Sequence, residues 1–178
     1  MTDPAPRATS TATLPRWLET LTRVMNAAGS VWIIALMVLI VADVVGRDLF
    51  GQPVRGVTEM LSLSIVGIVF LQLGDTLRAG RFTRADVLLD RLRRDRPRLA
   101  HLLLGLYDLA GGLFLAIILW ASWEPLVESI RIGEYVGAIG DFTAPTWPIR
   151  LIIVSGAAVT ATAFLLLAIA EFRAARRN

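Results

Sequence analysis

The chain contains no cysteine and no lysine, and its single histidine is His101. Without thiols there is neither a disulfide relay nor a thiolate metal site, which excludes four-helix membrane oxidoreductases that pass electrons through paired cysteines. One histidine cannot supply the axial pairs of a b-type cytochrome bundle, so haem held by this chain alone is excluded as well. His101 itself reads as an interfacial polar contact. No Ser-His-Asp set, metal-ligand cluster or phosphate-cradling glycine pattern can be assembled from the sequence. These absences predict a protein that is not an enzyme and binds no metal or cofactor.

What the chain has in abundance is apolar sequence. Of 178 residues, 55% are hydrophobic, and the mean hydropathy is +0.62. Four runs stand out, at 24–42, 60–74, 109–123 and 151–170. A helix rises about 1.5 Å per residue, so ~30 Å of hydrocarbon takes about 20 residues. The first and last runs meet that directly, and the middle two do so once charges at their ends reach the interfaces. Four membrane spans are expected, at about 24–45, 57–77, 99–123 and 149–170, giving an all-α integral membrane protein. A soluble bundle would have to hide 151–170, apolar on every side, inside two layers. Residues 1–23 are polar and Pro/Thr-rich without a cleavage-type site, so the first span is expected to remain as an anchor. Residues 171–178 form a basic tail.

All 18 basic residues are arginine, and they are unevenly placed. Segments 1–23, 78–98 and 171–178 carry 14 of them, and segments 46–56 and 124–150 carry four. The positive-inside rule puts both termini and the 78–98 loop in the cytoplasm. The isoelectric point of 10.5 then needs no nucleic acid, because anionic lipid headgroups are the simplest partner for the basic face.

Acidic residues in or beside the spans are the default functional suspects. Asp43 lies four residues before Arg47, and Asp75 three before Arg78. Both spacings put the partners on one helix face, so local ion pairs are expected rather than proton carriers. Glu59 sits in the first turn of the second span, where the positive helix end favours a carboxylate, with Arg55 four residues upstream. Asp108, two turns into the third span, has no basic residue at helical spacing. It either snorkels or hydrogen-bonds another helix or subunit. Asp108, Gly112 and Ala116 make a stripe of period four, as do the pairs Gly156/Thr160 and Ala157/Ala161. Small residues at that spacing let helix backbones approach closely in lipid.

Two amphipathic stretches, LPRWLETL with Leu14, Trp17, Leu18 and Leu21 on one face and FTRADVLLDRL at 82–92, are expected to lie as short interfacial helices. Trp120, Trp123 and Trp147 mark the opposite boundary as an aromatic belt. The connection at 124–148, extended to Arg150, carries four acids and two arginines. It opens with a helical stretch, EPLVESIRI, and its length suggests function. Glu128 and Glu134 are its candidate docking charges.

Three pieces then come in order. A turn G-R-x-x-F-G-x-P-x-x-G-x-x-E comprises Gly46, Arg47, Phe50, Gly51, Pro53, Gly56 and Glu59. A second stretch comprises Gly80, Arg81, Phe82, Thr83, Arg84, Ala85 and Asp86, closed by Pro97. A late P-x-W-P entry includes Trp147. With four spans and both termini inside, this resembles the small membrane subunit of TRAP transporters, the DctQ-like family, from about 41 to 165. The chain departs from it at Phe82, often histidine in the family, and at Thr58, often a second acid. The resemblance implies sodium-coupled uptake of an organic acid across a bacterial inner membrane. It implies two partners: a periplasmic substrate-binding protein that delivers the substrate, and a large elevator-type permease subunit that holds the substrate and sodium sites. The small subunit is implied to be a scaffold that helps dock the binding protein, with Arg47, Phe50, Pro53, Arg55 and Glu59 forming a shaped periplasmic edge. The absence of an inverted repeat or discontinuous helix pair agrees with a chain that has no substrate cavity.

Two other classes compete. A self-sufficient proton-coupled exporter would use Asp43, Glu59 or Asp108, and a structural subunit of a respiratory or other complex has no cofactor ligands in the sequence to support it. The arginine asymmetry generates a direct test. Reporter fusions at Asn178 and within 82–98 are expected to register cytoplasm, and fusions within 130–142 the opposite side. A C-terminus on the far side overturns the four-span topology.

Overall fold

The computed structural model describes residues 14–80, 96–138 and 142–177. Four helices dominate, each long and apolar enough to cross a membrane: α1 (Arg16–Phe50), α2 (Val57–Arg78), α3 (Pro97–Ile132) and α4 (Trp147–Arg177). Their ends follow from local chemistry. Pro15 precedes α1 and lends its carbonyl to the amides of Leu18 and Glu19. Gly51 stops α1 in the left-handed region at φ 65°, where its amide donates to the Arg47 carbonyl, a conformation that costs other residues a Cβ clash. Pro97 opens α3 at a position whose amide has no helical partner anyway, and Gly133 closes it at φ 62°. Arg47, Arg78, Arg131, Arg176 and Arg177 occupy last turns, where the negative helix end favours cations.

The helices overrun the expected spans. The LPRWLETL stretch is not a separate interfacial helix: its residues from Arg16 onward form the first turns of α1, since no proline interrupts the chain between Arg16 and Phe50. Its apolar face also splits. Leu14 and Leu18 join a buried cluster with Leu77, Leu115 and Phe164, while Trp17 remains 60% exposed. The 82–92 stretch lies outside the described residues. At its far end α3 continues through Pro125 to Ile132, so the expected break after 123 does not occur. A proline removes one amide and crowds the preceding turn, which kinks a helix more readily than it ends one. After α3 the chain forms an antiparallel hairpin, β1 (Tyr135–Ala138) with β2 (Phe142–Pro145), pairing Tyr135 with Pro145 and Ala138 with Phe142. Sequence reading expected only a loop there.

Contacts fix the helix directions. Gly29 of α1 meets Gln72 of α2 and Thr22 meets Gly74, so those two run antiparallel. Gly67 faces Ile149 and Ile152 while Gly156 faces Phe70, so α2 and α4 run parallel. Gly105 faces Phe172 and Gly112 faces Phe164 and Leu165, so α3 and α4 are antiparallel. Both ends of the described chain, with the end of α2 and the start of α3, therefore lie at one end of the protein, and the hairpin lies at the other. The helices stand in the spatial order α1, α2, α4, α3, with α4 meeting both α2 and α3. Half of the apolar window of α4 is buried within the protein, against 6% for α1.

Small residues make those contacts possible. A methyl group added at Gly156 would lie 2.5 Å from the backbone carbonyl oxygen of Phe70, and backbone cannot step aside. A methyl group added at Gly74 would lie 3.3 Å from the Thr160 hydroxyl and 3.0 Å from Thr22 of α1, so three helices converge there. On α3 the buried face runs through Leu104, Gly105, Asp108, Gly112 and Leu115. The expected continuation at Ala116 is exposed, because a strict period of four drifts off a 3.6-residue turn. Gly156→Ala is expected to destabilise the fold by about 1–3 kcal/mol, read as a lower unfolding temperature in detergent. Gly105→Ala meets only the rim of the Phe172 ring at 3.0 Å, and a smaller loss is expected. Equal, negligible effects at both sites would overturn the close α2–α4 approach.

Candidate functional site

At the hairpin end, the turn between α1 and α2 is built around Asp43. Its carboxylate accepts from Arg47 Nη2 at 2.8 Å and from the backbone amide of Val54 at 2.9 Å. The expected ion pair is present, and the second bond adds a function that no i,i+4 rule contains: the last turns of α1 hold the middle of the following turn. Asp43 is buried while the Arg47 side chain is 64% exposed, so the guanidinium covers the carboxylate from the water side. Gly56 sits at φ 73°, and the Phe142 ring of β2 fills the space where its Cβ would stand. Turn and hairpin are thereby packed together.

The hairpin is tied in turn to α4. Glu134 receives Arg150 Nη2 at 2.8 Å and the Thr146 hydroxyl at 3.2 Å, and its backbone carbonyl accepts the Thr146 amide at 3.0 Å. Arg150 also donates to the Pro125 carbonyl at 2.8 Å, so one guanidinium joins α3, the hairpin base and α4. Glu134 is thus placed in a latch and not on a free loop rim. Glu128 does face outward, paired with Arg131 across one helical turn at 2.8 Å. Elsewhere at this end Phe50, Pro53, Arg55 and Trp147 are exposed, and Glu59 is half-buried in the first turn of α2. Trp120 and Trp123 are exposed on the outer surface of α3.

Away from the hairpin end, polar side chains pair between helices. Asp75 accepts two bonds from Arg78, at 2.7 and 2.9 Å, and one from Asn26 of α1 at 3.1 Å. Trp32 donates from its indole to Ser64 at 3.2 Å. His101 Nδ1 lies 2.7 Å from Glu171, joining the start of α3 to the end of α4. Asp108 is 1% exposed, on the face of α3 that meets α4, so it is enclosed within this chain and does not snorkel. Gly112, one turn on, touches Phe164 and Leu165. Sequence reading recognised the local pairs but missed Asn26–Asp75, Trp32–Ser64, Glu134–Arg150 and His101–Glu171. Their partners are 16 to 70 positions apart, and only a chain topology brings them together. Arg81, Arg84 and Asp86 lie outside the described residues. Among the described residues no group of three or more acidic or histidine side chains is placed to hold a metal.

A family model described as the DctQ component of tripartite ATP-independent periplasmic transporters matches residues 36–174. That range takes in the Asp43 turn, the hairpin and most of α4. No curated protein and no solved structure matches the chain.

The Asp43 geometry generates a local test. Asp43→Ala removes the acceptor of the Val54 amide, and leaving a partly buried donor unmet costs about 1–3 kcal/mol. Hydrogen exchange at Val54 is expected to accelerate about 10- to 100-fold, while amides in the middle of α4 keep their protection. Unchanged exchange at Val54 would show that the turn is held by other means.

Proposed function

Because the chain belongs to the DctQ component family, and so is the small, multi-pass membrane subunit of a TRAP transporter and no enzyme, we propose that it is a static scaffold beside the large elevator-type permease. The family works in a tripartite complex with that permease and a substrate-binding protein. In this reading the chain carries part of the surface on which the binding protein docks during sodium-coupled uptake of an organic acid. The setting is a bacterial inner membrane, with both termini in the cytoplasm. The arginine-rich end meets anionic lipid headgroups, and sodium and substrate sit on the large subunit, with no cofactor on this one.

The observation that carries this reading is the continuous edge at the hairpin end. Asp43 holds the turn, Phe142 joins turn to hairpin, and the Glu134–Arg150–Pro125 latch joins hairpin to α3 and α4. A surface meant to receive a partner repeatedly gains from being ordered beforehand, because less freedom is lost on each encounter. The four described helices are unbroken between their caps, without the half-helix ends that build a midplane substrate site. The self-sufficient exporter has no corresponding support. Asp43 is engaged by Arg47 and the Val54 amide, and Asp108 is enclosed between α3 and α4.

The docking test uses Glu128, since reversing Glu134 would open the latch. In the reconstituted tripartite system Glu128→Arg is expected to slow uptake several-fold at low salt and less at high salt, at equal complex abundance. Rim charges act mainly on encounter rate and are screened over about 10 Å at 0.1 M salt. Asp108→Asn is expected to lower complex yield or uptake rate with substrate preference unchanged. A shifted substrate profile in an intact Asp108→Asn complex, or uptake by Glu128→Arg equal to wild type at every ionic strength, counts against the scaffold and docking roles respectively.

A further inference from the structure

Between α2, the hairpin base and the start of α4 lies a furrow of about 250 Å³. Its walls are Leu63 and Val66 of α2 with Ile149 and Ile153 of α4, and Glu134 and Arg150 stand at its mouth. Val66 is 42% exposed, so the furrow opens on the outer surface of the protein. The volume falls below the roughly 300–1,000 Å³ of ordinary small-molecule pockets, which suits one aliphatic chain better than a compact polar solute.

Its depth in the membrane follows from the latch. Arg150 closes the apolar run of α4 at the hairpin end and reaches the Pro125 carbonyl, two residues beyond Trp123. The charged mouth therefore stands where hydrocarbon gives way to headgroups, with Ile149 beside it, Ile153 about one helical turn deeper on α4, and Leu63 and Val66 along α2.

The chemistry at the mouth is two-sided. Arg150 spends Nη1 on Pro125 and Nη2 on Glu134, and its Nε–H has no partner among the described residues. The Glu134 carboxylate retains acceptor capacity beyond Arg150 and Thr146, since two oxygens offer about four lone-pair positions. Both side chains are about one-third exposed. A purely anionic headgroup gains the guanidinium but meets the carboxylate beside it. A headgroup carrying phosphate and a primary ammonium satisfies both at once, with the phosphate on Arg150 and the ammonium hydrogen-bonded to Glu134. A quaternary ammonium has no N–H to donate.

We propose that this furrow binds one aminophospholipid of the phosphatidylethanolamine type, with the upper part of an acyl chain between Leu63, Val66, Ile149 and Ile153 and its headgroup across the Glu134–Arg150 pair. The site lies at the end opposite the arginine-rich loop and depends on the membrane placement of the chain, not on its role in docking.

The test is native mass spectrometry of the full chain, released from detergent after titration with phosphatidylethanolamine, phosphatidylcholine or phosphatidylglycerol. A single ethanolamine adduct is expected to be retained about tenfold more strongly than the other two, the worth of one charge-assisted hydrogen bond. Val66→Trp fills the furrow from an exposed position and is expected to abolish that preference. Glu134→Gln keeps an acceptor for Thr146 and removes the negative charge, so the preference is expected to move toward phosphatidylglycerol. This shift in selectivity decides the matter even if Val66→Trp proves poorly folded by thermal unfolding. Equal retention of all three lipids by the wild-type chain, or an ethanolamine preference untouched by both substitutions, overturns the proposal. So does a Val66→Trp chain that keeps its lipid but no longer recovers the large permease subunit, which would give the furrow to a side chain of that partner.

Discussion

Within a bilayer, an apolar side chain gains little by leaving lipid for protein, because both surroundings are hydrocarbon. Helices there are held by short-range fit and by polar groups that have no water to turn to. The arrangement in this protein follows from that constraint, and its centre is the face of α4 running through Gly156, Ala157, Thr160 and Ala161. The absence of bulk at Gly156 brings the backbone of α2 within contact at Phe70, and Thr160 answers the gap at Gly74. The opposite surface of α4 offers Phe164, Leu165 and Phe172 to the glycines of α3. One helix thus presents small residues to one neighbour and rings to the other.

Polar pairs add direction to a fit that would otherwise tolerate sliding. Asn26–Asp75, Trp32–Ser64 and His101–Glu171 each connect different helices at a particular height. A one-turn shift of either helix pair would separate the contacts that fix it and leave their buried donors and acceptors unmet, at a cost of about 1–3 kcal/mol each. Asp43 and Arg150 do the same for the loops, whose backbone would otherwise be fixed by little more than glycine geometry.

Much of this architecture was legible in the sequence because membrane spans are a matter of length and composition. The four apolar runs located the helices, and Asp43/Arg47 and Asp75/Arg78 were readable from spacing alone. The 44–60 turn resembled its family through its glycines and a proline: Gly51 and Gly56 take the left-handed conformation that favours glycine, and Pro53 has its φ fixed by its ring. What escaped reading had distant causes. Glu134 looked like a loop charge because its partner Arg150 lies beyond a hairpin, and the hairpin was hidden in strands of four residues each. Tyr135, Val136, Phe142 and Thr143 are residues strands favour, flanking Gly140 and Asp141, but such a signal is weak at that length. EPLVESIRI was legible as helical, but its continuity with the third span was not, because membrane length sets where a span ends and not where its helix does.

The spatial order α1, α2, α4, α3 differs from the order of synthesis, and this bears on how the protein is made. α1 and α2 emerge first and find each other at once across a six-residue turn. α3 follows with no substantial partner already in place, since its main packing surface belongs to α4. It must wait in lipid, with His101 unmet by Glu171, until α4 follows. The 31 residues of α4 are therefore the keystone of assembly, joining an early pair to a solitary helix in one step. A quality-control protease meeting the chain before that step would find a completed hairpin of helices beside an orphan, so the vulnerable interval lasts as long as the translation of α4.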